Sequence, residues 1–259
     1  MIAEIRHRKL LEALERSGAV SVAEASKLLR VSRMTVHRDL ESLSAAGRLR
    51  KVHGGAVALD SRLPGRDAAR PFDERKPEAA RAKRQIARHL AKLVAGARTL
   101  ALDASSTVYG LAQSISEPPR NGSDGPFILT NGIPLFLELQ RRNVGFRLAL
   151  TGGEPHRRTG SLIGPLAVKS LEGLRFDMSV VSAAGLADDH ESLYDLTPEG
   201  AALKHALLSR GTVRVLAMDS SKFGALAPYP LGSLKDFDVL VTEDGIKELK
   251  GRRKALASG

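Results

Sequence analysis

Residues 32–59 read SRMTVHRDLESLSAAGRLRKVHGGAVAL, and the pattern in them decides the fold of the N-terminal part of the chain. Ser32 is a strong N-cap, and behind it Val36, Leu40 and Leu43 recur at i, i+4 and i+7, so one helical face must turn inward. At 100° per residue Met34, Arg38 and Glu41 then point away, Thr35 and His37 flank them, and Arg33 sits at the open N-terminal turn. Gly47 ends the helix. Two short runs, 48–52 and 56–59, flank His53-Gly54-Gly55 and read as a β-hairpin.

Upstream, Ile5, Leu10, Leu11 and Leu14 form a helical stripe over residues 2–16, closed by Ser17-Gly18. Ser21-Val-Ala-Glu24 is a capping box that opens a second helix running to about Leu29. Only Arg30 and Val31 separate that helix from Ser32. Two helices across a tight turn, followed by a basic hairpin, make a winged helix-turn-helix. A helix fits the major groove, and hairpin cations track phosphates. The expected contacts with double-stranded DNA are Arg33, Thr35, His37 and Arg38 on the third helix, with Lys51, His53, Gly54 and Gly55 on the wing.

The charge distribution agrees. The 259 residues carry a formal net charge of +11, yet residues 1–99 hold 22 Lys/Arg against 11 Asp/Glu while residues 100–259 hold 18 of each. A basic module for a polyanion is joined to an electrically neutral partner. A membrane surface is disfavoured as that polyanion, because residues 1–59 contain no Trp or Phe for an interfacial helix. With no cysteine, disulfides, thiolate zinc sites and thiol catalysis are excluded. No apolar run approaches the ~20 residues of a membrane span, and MIAEIRHRKL lacks a signal-peptide core, so a cytoplasmic protein is expected. There is no P-loop, no GxGxxG and no HExxH. No cofactor, metal or catalytic residue is assigned.

Ser32-x-x-Thr35-Val-His-Arg38-Asp39-Leu40, Gly47 and Val52-His53-Gly54-Gly55-Ala56 resemble the N-terminal signature of the DeoR family of bacterial transcription regulators, over residues 5–57. Met34 stands where that pattern commonly has Glu, and His37 where it has Arg, which implies a different operator.

Residues 60–77 (DSRLPGRDAARPFDERKP) read as a linker that docks at Phe72 and Arg75. A basic helix with Ile86, Leu90 and Leu93 on one side follows. Beyond Arg98, apolar runs at 99–102, 127–129, 146–150, 178–182, 212–218 and 239–241 alternate with helical patterns, the last run also followed by a helix. Such alternation means βαβ units and an open, mainly parallel α/β sheet. Ligands bind such sheets at the carboxyl ends of the strands. There the chain places Asp103, Ser105, Ser106 and Thr107, then Asn131, Gly152-Gly153, and Asp219 with Lys222. Hydroxyls ahead of a helix suit an anion, glycines let a backbone approach a ligand, Lys222 offers a point charge and Asp219 accepts from hydroxyls. A phosphorylated sugar or polyol fits that set.

These turns also resemble the DeoR effector domain over roughly residues 75–245, through Lys83-x-x-Ile86-Ala87, Asp103-x-x-x-Thr107, Thr130-Asn131, Gly152-Gly153, Ser161-x-x-Gly164, Gly185, Lys204 and Asp219-x-Ser221-Lys222-Phe223. The resemblance implies a fold similar to ribose-5-phosphate isomerase and sensing of phosphorylated sugars. Ser105 and Ser192 stand where that pattern has glycine.

The expected organisation is a head at 1–59, a linker at 60–77 and an effector domain at 78–250. The expected function is a repressor of carbohydrate catabolism genes, a homo-oligomer relieved by a phosphorylated sugar. The alternative is a sugar-phosphate isomerase with a basic appendage. An isomerase needs a base on the substrate carbons, and Glu191 and Glu199 are its only candidates.

Overall fold

The computed structural model describes residues 2–17, 19–52, 54–58, 70–115, 125–142 and 145–250. The chain opens with α1 (Ala3–Ser17), β1 (Ala19–Ser21), α2 (Val22–Leu29), α3 (Arg33–Ala45), β2 (Leu49–Val52) and β3 (Gly55–Ala58). The Ser21–Glu24 capping box forms as expected, each side chain meeting the other's backbone amide. Arg30 turns α2 into α3 with a left-handed backbone, φ 53°. Val31 N–H donates back to Ser26 O at 3.2 Å, which tightens the corner. Leu10, Leu14, Val22, Ala25, Leu29, Val36, Leu40, Leu43 and Leu49 close one apolar core. Each Leu buried there stabilises the head by about 2 kcal/mol. The strands pair antiparallel in the order β1-β3-β2. This is the winged helix-turn-helix of the sequence analysis, with β1 added.

After the undescribed stretch come α4 (Phe72–Arg75), α5 (Ala80–Val94), β4 (Thr99–Leu102), α6 (Ser106–Ser114), β5 (Phe127–Thr130), α7 (Ile133–Arg142) and β6 (Arg147–Leu150). Then follow β7 (Glu154–His156), β8 (Ser161–Ile163), α8 (Pro165–Lys169), β9 (Phe176–Val181), β10 (Gly185–Leu186) and β11 (Ser192–Asp195). The chain continues through α9 (Pro198–Arg210), β12 (Gly211–Ala217), β13 (Tyr229–Ser233), β14 (Val239–Thr242) and β15 (Gly245–Glu248). Seven strands form one sheet in the order β15-β14-β12-β9-β4-β5-β6, parallel throughout except for β15. Ile86, Leu90, Leu100, Leu102, Val108, Leu111, Ile128, Leu135, Met178 and Val180 are among its core.

One expectation changes here. The helix expected after residues 239–241 is instead the antiparallel edge strand β15. Gly245 (φ 149°) turns the chain tightly enough to pair Gly245 with Thr242, and Asp244 N–H donates to Thr242 Oγ1 at 3.3 Å. The expected docking at Phe72 and Arg75 is present: Phe72 is buried, edge-on to Tyr109 at 5.2 Å, with the Arg75 guanidinium 6.0 Å from its ring.

The chain forms two compact units, and neither is continuous in sequence. One holds Met1–Ala69, Ala183–Ala201 and Ser221–Leu234; the other holds Arg70–Ser182, Ala202–Ser220 and Lys235–Gly259. In the first unit the later segments form a small sheet, β10-β11-β13, over Ala187, Tyr194 and Ala227.

Candidate functional site

The head presents α3 as the sequence requires. Val36, Leu40 and Leu43 are buried, Arg33, Met34 and Arg38 are exposed, and Thr35 and His37 are half-buried. Ser32 caps the helix, accepting from Thr35 N at 3.2 Å, and its Oγ lies 2.9 Å from Thr35 Oγ1. Thr35 thus helps close the helix start. The inward face also carries an acid, Asp39, whose carboxylate takes Arg6 Nε at 2.6 Å and Nη2 at 2.8 Å, with His7 Nε2 at 3.2 Å. This bidentate pair locks α1 to α3, and the Arg6 guanidinium holds the Asp39 carboxyl below its usual range. A carboxylate depressed on folding contributes stability above its unfolded pKa of about 3.9 and loses it as pH falls through the lower folded value. Melts of the full chain between pH 7 and pH 3 should therefore lose head stability below about pH 4, and Asp39→Asn should flatten that limb. An unchanged limb would remove the pair from the acid transition.

On the wing, Lys51 Nζ donates to Glu41 Oε1 at 2.6 Å, joining β2 to α3. Arg48 and Arg50 alternate with buried Leu49 and are exposed, so they extend the cationic surface of the wing beyond Lys51, as expected of the hairpin's cations. His53 lies outside the described residues. Gly54 adopts φ 83°, and its carbonyl accepts from Val22 N at 2.8 Å. Gly55 is buried: a Cβ there would overlap the Val20 carbonyl oxygen and stand 2.9 Å from Ser21 Cα. Gly54 thus answers to the backbone of the hairpin turn, as expected, and Gly55 to packing against β1.

In the second unit, strand register aligns the polar turns. Leu102 pairs with Thr130, and Thr130 with Leu150, so Asp103, Asn131 and Thr151 each follow at the same level on neighbouring strands. Gly132 lies against Ala104, bringing the first two turns together. Asp103 is 1% exposed; its Oδ1 accepts from Ser105 N at 3.0 Å, its Oδ2 from Ser182 N at 2.9 Å, and Lys204 Nζ lies 3.5 Å from Oδ2. Asp103 is therefore a positioning residue that ties the ends of β4 and β9. Ser105 caps α6 by accepting from Val108 N at 3.1 Å, and Ser106 and Thr107 head the helix. The first turn of a helix carries a partial positive charge.

Asn131 spends its amide nitrogen on Leu162 O at 3.1 Å. Its Oδ1, and Thr151 Oγ1, are buried with no hydrogen-bond partner among the described residues. Such orphaned acceptors are expensive unless a ligand or water meets them. Gly152 N–H donates to Ser170 Oγ at 2.8 Å, and a Cβ on Gly153 (φ 122°) would stand 2.6 Å from Ile163 O. These glycines accommodate β8 and α8, a closer reason than the backbone approach to a ligand expected of them. Asp219 is buried and offsets the desolvation that lowers the pKa of buried Lys83. Lys222 belongs to the other unit, where its Nζ donates to Ala183 O at 2.9 Å. Thr151 and Lys204 were not among the expected ligand residues. Thr151 stands beside a more conspicuous Gly-Gly, and Lys204 enters the sequence reading only as part of the effector-domain resemblance, with no role attached.

Among the described residues no helix is long and apolar enough to cross a membrane, and no group of His, Asp and Glu forms a metal cluster. Comparison with known proteins matches residues 6–62 to the DeoR-like helix-turn-helix domain and residues 78–244 to the DeoR C terminal sensor domain. The HTH-type transcriptional regulator GolR of Listeria innocua is 30% identical over 94% of this chain and 91% of its own length. The glycerol-3-phosphate regulon repressor of Escherichia coli K12 is 28% identical over 92% and 90%. The lactose phosphotransferase system repressor of Lactococcus lactis is 28% identical over 93% and 91%. Among solved structures, a ribose 5-phosphate isomerase from Methanocaldococcus jannaschii overlaps 54% of this chain and 53% of its own at 14% identity and TM-score 0.38, too little to bear on function. With both parts of the chain matched, and relatives aligned almost end to end, the chain belongs to the DeoR family of transcriptional regulators and is a regulator, not an isomerase.

Proposed function

We propose that the chain is a repressor that holds an operator through α3 and the wing and leaves it when a phosphorylated sugar or polyol binds at the carboxyl ends of β4, β5 and β6. The observation that carries the reading is the outward face of α3, where Arg33 and Arg38 stand in solvent above a fully packed inner face. Arg33, Thr35, His37 and Arg38 meet bases or phosphates in the major groove, and Lys51 and His53 hold the backbone, with Gly54 and Gly55 shaping the wing. In the sensor, the phosphate faces the start of α6 at Ser105, Ser106 and Thr107. Ligand hydroxyls satisfy Asn131 Oδ1 and Thr151 Oγ1, with Asp103, Gly152 and Gly153 holding the turns in place. Asp219 completes the set as a hydroxyl acceptor, whereas Lys222, expected there as a point charge, belongs to the other unit. Two relatives, named for a glycerol-3-phosphate regulon and a lactose phosphotransferase system, support both repression and this ligand class. A homo-oligomer, dimer or tetramer, places two heads on repeated half-sites.

The test is binding of the full chain to duplexes enriched from a random pool, at several salt concentrations. Affinity is expected to fall steeply with salt, and Arg38→Ala should lower it about 5–150-fold if Arg38 makes a bidentate base contact worth about 1–3 kcal/mol. One member of a panel of phosphorylated sugars and polyols should then weaken binding by about 5–150-fold. Affinity indifferent to salt, or a panel without effect, would overturn the corresponding half of the reading.

A further inference from the structure

The third helix carries one large apolar side chain that its own core leaves out. Met34 is 64% exposed and lies at the second position of α3, on the face opposite Val36, Leu40 and Leu43. A lone exposed Met is ordinary on a protein surface. This one stands in a cationic setting: Arg33 precedes it, Arg38 follows one turn later, and both are exposed. The nearest outward acid along the helix is Glu41, already engaged by Lys51 at 2.6 Å. The face around Met34 is thus apolar at its centre and positive at its borders. A polyanion that also offers an apolar group matches that face, and duplex DNA is such a partner.

We propose that Met34 is a specificity-determining residue that packs on the C5-methyl of a thymine in each half-site. This rests on the DNA-reading function proposed above and adds a base preference to it. In the major groove the bases are told apart by hydrogen-bond donors and acceptors and by one bulky apolar group, the thymine methyl. A thioether donates nothing and accepts only weakly, so it leaves the edges of G, A and C unsatisfied. Against a methyl it buries apolar surface on both sides. Its three rotatable bonds let it settle on the methyl while Arg33 and Arg38 fix the register through phosphates or guanines.

Selection of duplexes from a pool with a randomised core, with the full chain as wild type and as Met34→Glu, tests this. The wild type should enrich thymine at one column of each half-site. Met34→Glu should enrich cytosine at that column, because a carboxylate accepts from cytosine N4. On the wild-type consensus, deoxyuridine in place of that thymine removes the methyl alone, and affinity should drop about 4-fold per contact. If Met34→Glu binds nothing, the deoxyuridine arm on the wild type still decides. The same consensus from both proteins, or silent deoxyuridine at every thymine, overturns the inference and leaves duplex recognition standing. Failure of the wild type to enrich any duplex overturns the function itself, and Met34 with it.

Discussion

Gly55→Ala is expected to unseat the wing and to take specific duplex binding with it. The new methyl group meets the Val20 carbonyl oxygen and the Ser21 Cα, both backbone, as well as the Leu226 side chain. Leu226 can rotate away, but the backbone of β1 cannot without giving up its pairing with β3 at Val20–Ala56 and Ser21–Gly55. Overpacking of this kind costs about 3 kcal/mol where neighbours are rigid, which lowers the melting temperature by about 6–12 °C for a protein of this size. Affinity for an enriched duplex should fall toward the level of a random one. Gly47→Ala provides the comparison. Gly47 has φ 63° but nothing within 4 Å of a built Cβ, so only left-handed backbone strain of about 1 kcal/mol applies. Equal melting points for the two variants, read by circular dichroism, would show that the Gly55 contact carries no more than conformational strain.

Asp103→Ala is expected to abolish the response to effector and to destabilise the sensor sheet by about 3–5 kcal/mol. The substitution strips Ser105 N and Ser182 N of their acceptor and leaves Lys204 beside an empty space. Asp103→Asn keeps the shape but turns an N–H₂ toward a donor, so it should recover only part of the stability. The measurement pairs thermal melts with the duplex-release titration, using the panel compound that acts on the wild type. A variant that melts early yet still releases duplex at the same effector concentration would reduce Asp103 to a scaffold residue with no bearing on sensing.

The head was legible because its signals are local. The Ser21–Glu24 box, the Val36/Leu40/Leu43 stripe and the turn at Gly54-Gly55 all act within one or two turns of chain. The parallel strands were legible as apolar runs set between helices. What was not legible is non-local or very short. β1 has three residues and β10 two, too few for any periodicity, and β11 finds β13 more than thirty residues later. Asp103 read as a ligand acceptor because its partner Ser182 stands 79 positions away. Gly152 and Gly153 were recognisable as special positions, but the neighbours that require them, Ser170 and Ile163, come from later elements. The stretch that forms β15 reads as a helix because a four-residue edge strand carries little pattern of its own.

The first compact unit is assembled from three separate stretches of chain, with Leu226 from the last of them seated over Gly55 of the first. Exchanging operator specificity between relatives by grafting residues 1–69 alone would transplant only a third of the stretches that make up that body. A chimera meant to keep the seat of Leu226 over Gly55 has to carry 221–234 from the same donor.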